Sequence, residues 1–327
     1  MTIQTTAGAR LILALFASAM AAAMPASAQP YPAKPVRLIV PFGNGGGTDV
    51  IGRALALKLG DALGQQVVVD NRPGANGTIG VDLVAKAPPD GHALAMITSS
   101  HTVNVSLYRN LPYDLVNDLA PVVQVTSQPY MLVIHPSLPA KTVNELVALA
   151  RAKPGAINYA SSGIGGLGHL SAALFAQLAG VQLTHVPYKG GTQGVTDLIA
   201  GHVHLLFSTI LQANPQVRAG RLRALAVTSP QRSGAAAALP TMQEAGIAGY
   251  AVTGWYAIVA PARTPAAVIA RLNGELNIIL RQPEIRERLA ADGSDAAGGT
   301  SEALATHVKA EIAKWAKLVR ETGIRAD

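Results

Sequence analysis

Three segments of the chain share one design, an apolar run followed by a glycine-rich turn and a helical pattern. They are Pro41-Phe42-Gly43-Asn44-Gly45-Gly46-Gly47-Thr48-Asp49, Tyr159-Ala160-Ser161-Ser162-Gly163-Ile164-Gly165-Gly166-Leu167-Gly168-His169 and Pro187-Tyr188-Lys189-Gly190-Gly191-Thr192-Gln193. Glycine lets a ligand approach the backbone, and the helix that follows presents unpaired N–H groups carrying a partial positive charge. Each segment therefore reads as a seat for an anion, with the hydroxyls of Thr48, Ser161, Ser162 and Thr192 as additional hydrogen-bonding groups. In an open α/β sheet such loops stand at the carboxyl ends of strands, where ligands bind.

Other chemistries compete for the same residues. Gly43-Asn44-Gly45 after a strand, with Asp70 ending the next one, imitates a dinucleotide fingerprint, but Thr48 stands where its third glycine belongs. No Gly-Lys-Ser/Thr follows any of the loops, which excludes a P-loop. Ser162 and His169, with Asp197 further on, offer the side chains of a hydrolase without the G-x-S-x-G elbow. As a neutral alternative they are a ligand hydroxyl and a helix-start side chain. His202 and His204, two apart in an apparent strand, could chelate a metal from one face, but spacing supplies no third ligand, so they read as structural or surface histidines and no metal is expected. Asp49 in a first helical turn reads equally as a cap or dipole partner. Lys189 is the formal positive charge nearest the loops.

The elements that position these loops alternate short β-branched runs with amphipathic helices, the pattern of an α/β fold. Strands are expected at residues 35–40, 67–69 and 93–97, with helices at 49–63 and 77–87 between them, giving a βαβαβ unit and a parallel sheet. Two apolar runs, 122–125 and 131–134, broken by Ser127-Gln128-Pro129, mark a crossing into a second domain that repeats the first one's logic: helix 143–151, strand 157–159, helix to 178, strand 183–186, helix 195–200 and strand 203–207. Residues 249–260 read as a long strand leading back, followed by a helix with Val268, Leu272, Leu276 and Ile279 on one face and a last helix with Leu304, Val308, Ile312, Trp315 and Val319. Domain 1 is thus discontinuous, residues 29–125 plus 252–327, and domain 2 covers 126–251. Two crossings imply a two-strand hinge, and a hinge implies a cleft.

Composition narrows the function classes. The 327 residues contain no cysteine, which removes disulfides, thiolate nucleophiles, Cys-ligated zinc and iron–sulfur clusters. Aromatics amount to 4%, too few for base-stacking platforms, and no basic run supports a nucleic-acid tail, so the net charge of +7 is a mild field favouring anions. The amino-terminal segment carries Arg10, an apolar stretch at 11–24 and Ala26-Ser27-Ala28, the form of a secretory signal peptide cleaved after Ala28. The stretch is shorter than the roughly 20 residues of a membrane span. Without cysteine there is no lipoprotein anchor, so the expected location is periplasmic and untethered.

Several blocks together resemble one family. Tyr31-Pro32-Ala33-Lys34-Pro35-Val36-Arg37 leading to Pro41-Phe42, Asp70 to Gly77 (DNRPGANG), Leu111-Pro112-Tyr113-Asp114, the second and third glycine loops, and Arg221 to Val227 (RLRALAV) are similar to the Bug-type extracytoplasmic solute receptors of tripartite tricarboxylate transporters. The resemblance spans the chain after the leader. It implies a two-domain α/β periplasmic binding protein of type II that closes on a small carboxylate, acts as a monomer without cofactor or catalysis, and meets the membrane permease subunits of the transporter transiently. Carried onto this chain, it points to Phe42, Gly46, Thr48 and Asp49 on one side of the cleft, Ser161, Ser162, Gly163, Gly165 and His169 on the other, and Thr98, Ser99 and Ser100 beside them. Two departures bear on the ligand: Gly43-Asn44 stands where the family commonly has Ala-Pro or Pro-Pro, and Ser208-Thr209 where it commonly has Asp-Asn. Losing that Asp removes a partner for a ligand amino group and favours a plain carboxylate.

Overall fold

The chain is described here from a computed structural model covering residues 31–188 and 191–325. The leader with its cleavage point, and Lys189 and Gly190 of the third glycine loop, lie outside the described residues. All elements below belong to the unit Lys34–Asp327.

A first run of elements reads β1 (Val36–Val40), α1 (Gly47–Leu63), β2 (Val67–Asn71), α2 (Thr78–Ala85), β3 (Ala93–Thr98) and α3 (Ser99–Leu107). Strand β1 lies between β2 and β3 and is parallel to both. Helix α1 forms because Ile51, Leu55, Leu59 and Leu63 recur every fourth residue and bury one face on the sheet, each side chain contributing about 1.5–3 kcal/mol. It stops at Gly64, whose φ of 68° suits a residue without Cβ and lets its N–H reach the Gly60 carbonyl.

Next comes β4 (Leu119–Ile134), and a second run with the same grammar: α4 (Val143–Ala152), β5 (Asn158–Ser161), α5 (Leu167–Ala179), β6 (Thr184–Pro187), α6 (Gly191–Ala200), β7 (Leu205–Thr209), α7 (Ile210–Arg218) and β8 (Arg223–Val227). Strand β5 lies between β6 and β7 and is parallel to both. The chain returns through β9 (Thr253–Pro261) to α8 (Ala266–Ile279), α9 (Pro283–Ala291), the short β10 (Asp295–Ala296) and α10 (Ser301–Thr322).

The two expected apolar runs around Ser127-Gln128-Pro129 are one 16-residue strand, β4. Pro129 is the last residue paired with β9, opposite Thr253, and Tyr130 is the first paired with β7, opposite Thr209. The proline thus stands where one ladder gives way to the next, which is why it does not end the strand. The order is β2-β1-β3-β9-β4 in the first lobe and β6-β5-β7-β4-β8 in the second, so each lobe has three parallel strands followed by two that pair antiparallel. The expected strand at 203–207 begins two residues later, leaving His202 and His204 ahead of it. His202 faces Asp197 and His204 accepts from the Asn158 N–H, so each ring has its own partner rather than a shared face.

The 22-residue helix α10, about 33 Å long at 1.5 Å per residue, serves both lobes. Leu304 and Val308 pack with Ile39, Ile97, Trp255 and Val259 of the first lobe. Trp315, Leu318 and Val319 pack with Leu167, Phe175, Phe207 and Tyr250 of the second, joined there by Val103 and Leu107 of α3. The sequence places this helix wholly with the first domain, whereas its last turns belong to the second core. Trp315 is fully buried and its indole N–H donates to Glu311 at 3.0 Å. Trp315→Ala is expected to cost about 3–5 kcal/mol, the range for emptying a buried indole site, read as a lower urea midpoint in a single transition. Two separated transitions would show that the shared helix does not couple the lobes.

Candidate functional site

The repeated grammar sets β1–α1 opposite β5–α5 and β3–α3 opposite β7–α7. A cavity of about 390 Å³ lies where these four junctions meet. The first lobe contributes Phe42, Gly46, Gly47 and Thr48 from β1–α1, Thr98, Ser99 and Ser100 from β3–α3, and Asn76. The second contributes Ser162, Ile164, Gly166 and Leu167 from β5–α5 and Thr209 from β7–α7. Gln128 and Tyr130 of β4 and Gly254 and Tyr256 of β9 form the part supplied by the crossing strands. None of these lining side chains carries a formal charge. A larger hollow of about 600 Å³ over α1 and β2 involves one lobe only and gathers none of these junctions.

The two glycine loops are held open by the same device. Gly46 caps α1 and Gly166 caps α5, and neither has a side chain to close the first turn. In the third position of each helix a side chain reaches back to the residue before the cap: Asp49 accepts from the Gly45 N–H at 2.8 Å and His169 Nδ1 from the Gly165 N–H at 3.1 Å. Asp49 is spent further on Arg53 and on Asn71, whose amide also donates to the Phe42 carbonyl. Burial raises its pKa, but the hydrogen bonds from Arg53, Gly45 and Asn71 outweigh burial and hold the carboxyl below its usual range. Ser161 is fully buried; its hydroxyl reaches the Gly163 carbonyl at 3.0 Å, accepts from the Gly163 N–H and shares a 2.7 Å hydrogen bond with His185 Nε2. His185 in turn stacks on His169, with centroids 3.9 Å apart and planes 8° from parallel. Gly165 has a φ of 76°, and a side chain there would run into Leu107 of α3, so the loop seats on the opposite lobe.

Seven of the twelve residues singled out from the sequence thus line the cavity: Phe42, Gly46, Thr48, Thr98, Ser99, Ser100 and Ser162. Asp49, Ser161, Gly163, Gly165 and His169 are not among the lining residues and fix the loops that are. None of the described residues of the third glycine loop is among the lining residues, and β6, which leads into it, is the edge strand of its lobe. The contributions of β4 and β9 went unread in the sequence. Thr209 carried a local signal, since its hydroxyl accepts from Gln212 three residues on, an ordinary N-cap spacing.

Two buried imidazoles support the walls. His101 in the first turn of α3 accepts from the Thr98 N–H at 3.0 Å, which leaves its proton on Nε2, against Gly77. Burial lowers His101 to about 4; burial, then the neighbouring His185, lowers His169 to about 4. In the unfolded chain histidine titrates near ~6.5. Between the folded and unfolded values the unfolded chain binds more protons, so stability is complete above that window and falls as the pH drops through it. At pH ~5 each histidine should cost on the order of 2 kcal/mol relative to neutral pH. Urea unfolding at the two pH values is expected to give the lower midpoint under acid; equal midpoints would mean that the two rings take up protons within the fold.

The model of the tripartite tricarboxylate transporter family receptor matches residues 51–324. Protein BugT of Bordetella pertussis is 38% identical over 316 residues, covering 96% of this chain and 97% of that protein. Among solved structures, Rpa4515 of R. palustris with adipate is 37% identical with a TM-score of 0.78, over 90% of this chain and 99% of that one. MatC from Rhodopseudomonas palustris with bound malate is 30% identical with a TM-score of 0.74, over 88% of this chain and all of that one (100%). Because the match runs through both lobes and both crossing strands, the chain belongs to the tripartite tricarboxylate transporter receptor family and has the two-domain α/β form of a type II periplasmic binding protein.

Proposed function

We propose that this protein is a periplasmic receptor that captures a small organic carboxylate between its lobes and hands it to the permease subunits of a membrane transporter. The observation that carries the reading is the convergence of four helix N-termini on one cavity with no charged side chain among its described lining residues. Backbone N–H groups at helix starts, with the hydroxyls of Thr48, Thr98, Ser99 and Ser162, favour an anion through dipoles and hydrogen bonds. An uncharged wall holds a carboxylate without a tight ion pair, which suits a receptor that must release its cargo. The adipate and malate carried by two similar receptors support the carboxylate class.

The hydrolase reading finds less support. His169 gives Nδ1 to the Gly165 N–H, and Asp197 accepts from the Tyr188 hydroxyl at 2.6 Å, so the hydrogen bonds of Ser162, His169 and Asp197 do not run from one to the next. The serine that does meet a histidine is Ser161, which is fully buried and is not among the residues that line the cavity.

Thermal unfolding with a panel of mono-, di-, tricarboxylic and aromatic acids tests the reading. A ligand at 100 times its Kd adds about 2.7 kcal/mol of stability, so the cognate class should raise the midpoint clearly, and Ser162→Ala should weaken its binding about tenfold or more, the worth of a hydrogen bond to a charged group. A panel without any shift, or hydrolysis of simple esters that disappears in Ser162→Ala, would overturn it.

A further inference from the structure

The helix starts present donors to the cavity, and against the first of them, at Gly47, stands a carboxylate that does not belong to any of the four junctions. Asp292, just after α9, is held against the crossing strands: its Oδ2 accepts from Gln128 Nε2 at 2.9 Å and faces the Ser294 hydroxyl at 3.4 Å. Its Oδ1 lies 2.9 Å from where a Cβ on Gly47 would stand, and the Tyr256 hydroxyl lies 3.1 Å from the same point. Gly47, Gln128 and Tyr256 all line the cavity. Glycine is required at position 47 because the acid and the phenol already occupy the space of a side chain.

Asp292 acts on the cavity in two ways. It takes Nε2 of Gln128, which also lies 3.5 Å from Ser294, so that this amide group is spent on Asp292, and the Gln128 side chain also hydrogen-bonds Tyr256. It also places its own negative charge beside Tyr256 and Tyr130: burial first, and then Asp292, raises both phenols, Tyr130 to about 12. Burial raises the pKa of Asp292 itself, offset in part by hydrogen bonds from Ser294 and Gln128, and neither of these partners brings a positive charge. The adjoining Gly293 packs on the start of α7, where a Cβ would lie 3.1 Å from the Leu211 nitrogen. The turn that carries the acid therefore meets the start of α7, just after Ser208-Thr209.

We infer that Asp292 is a specificity-determining residue, and that the ligand is a small carboxylate that also bears a hydrogen-bond donor, a hydroxyl or an ammonium group, turned toward Gln128 and Asp292. This rests on the carboxylate-receptor reading and refines its substrate class. An unsubstituted dicarboxylate would bring only further negative charge to the neighbourhood of Asp292 and no donor.

Calorimetric titration of the protein with matched acids of four to six carbons tests it, each acid offered unsubstituted, hydroxylated and aminated: succinate, malate and aspartate; butyrate, 4-hydroxybutyrate and 4-aminobutyrate; adipate, 2-hydroxyadipate and 2-aminoadipate. The best donor-bearing acid is expected to bind at least about tenfold tighter than its unsubstituted counterpart, and Asp292→Asn to shrink that ratio below about threefold while the unsubstituted acid binds no worse. Equal or tighter binding of unsubstituted acids to the unaltered protein overturns the inference without need of the variant and leaves the receptor reading standing, as does a ratio unchanged in a folded Asp292→Asn protein. Binding of no acid in the panel overturns both.

Discussion

One strand, β4, sets the geometry on which everything else depends. Its first part pairs with β9 and its last five residues lie between β7 and β8, so a single uninterrupted backbone is a member of both sheets. Because the parallel strands of each lobe are built outward from this shared line, their carboxyl ends are brought face to face. Loops at carboxyl ends are where open α/β sheets bind ligands, and here two such sets meet at one place. The crossing is reinforced on the far side by α10, which lies along the first core and ends in the second.

On the proposed reading, the meeting of helix starts lets a chain with a net charge of +7 hold an anion with no basic side chain among the described lining residues. A lysine or arginine on the wall would bind any anion, and would have to be desolvated at each closure. Backbone N–H groups cost no side-chain ordering and are fixed in direction by their helices. The general positive charge then acts only at long range, drawing anions toward the cavity rather than selecting among them.

What could be read from the sequence follows the range of the interactions involved. Strand-loop-helix units and the glycines within them are local patterns, so the α/β class and the two loops with Phe42, Gly46, Thr48 and Ser162 were legible. Asp49 and His169 were visible as residues, but their task was not: four positions after a loop glycine, each fastens its own loop, and the same spacing recurs where Glu145 accepts from the Lys141 N–H. Gln128, Tyr130 and Tyr256 had no local mark at all. Their place in the cavity depends on a pairing of β4 with β9 that joins residues more than a hundred positions apart, and a broken apolar pattern at Pro129 concealed the continuity of the strand. Asp292 is more remote still, since it comes to Gly47 from the turn after a helix of the carboxyl-terminal part of the chain.

The four helix starts are not equivalent, and the difference between them separates support from recognition. Thr209 accepts from the Gln212 N–H, and at Thr98 the imidazole of His101 takes the backbone N–H, so these two starts are partly satisfied from within. Gly46 and Gly166 supply no side chain, which sacrifices only a few tenths of a kcal/mol relative to serine or threonine. What they gain is that the first-turn N–H groups of α1 and α5, one from each lobe, stay available to a group that arrives from outside. On the carboxylate reading, a ligand seated between them would complete both helices at once, and its binding would strengthen as the lobes approach, because the same two oxygens would then serve as the missing caps of both.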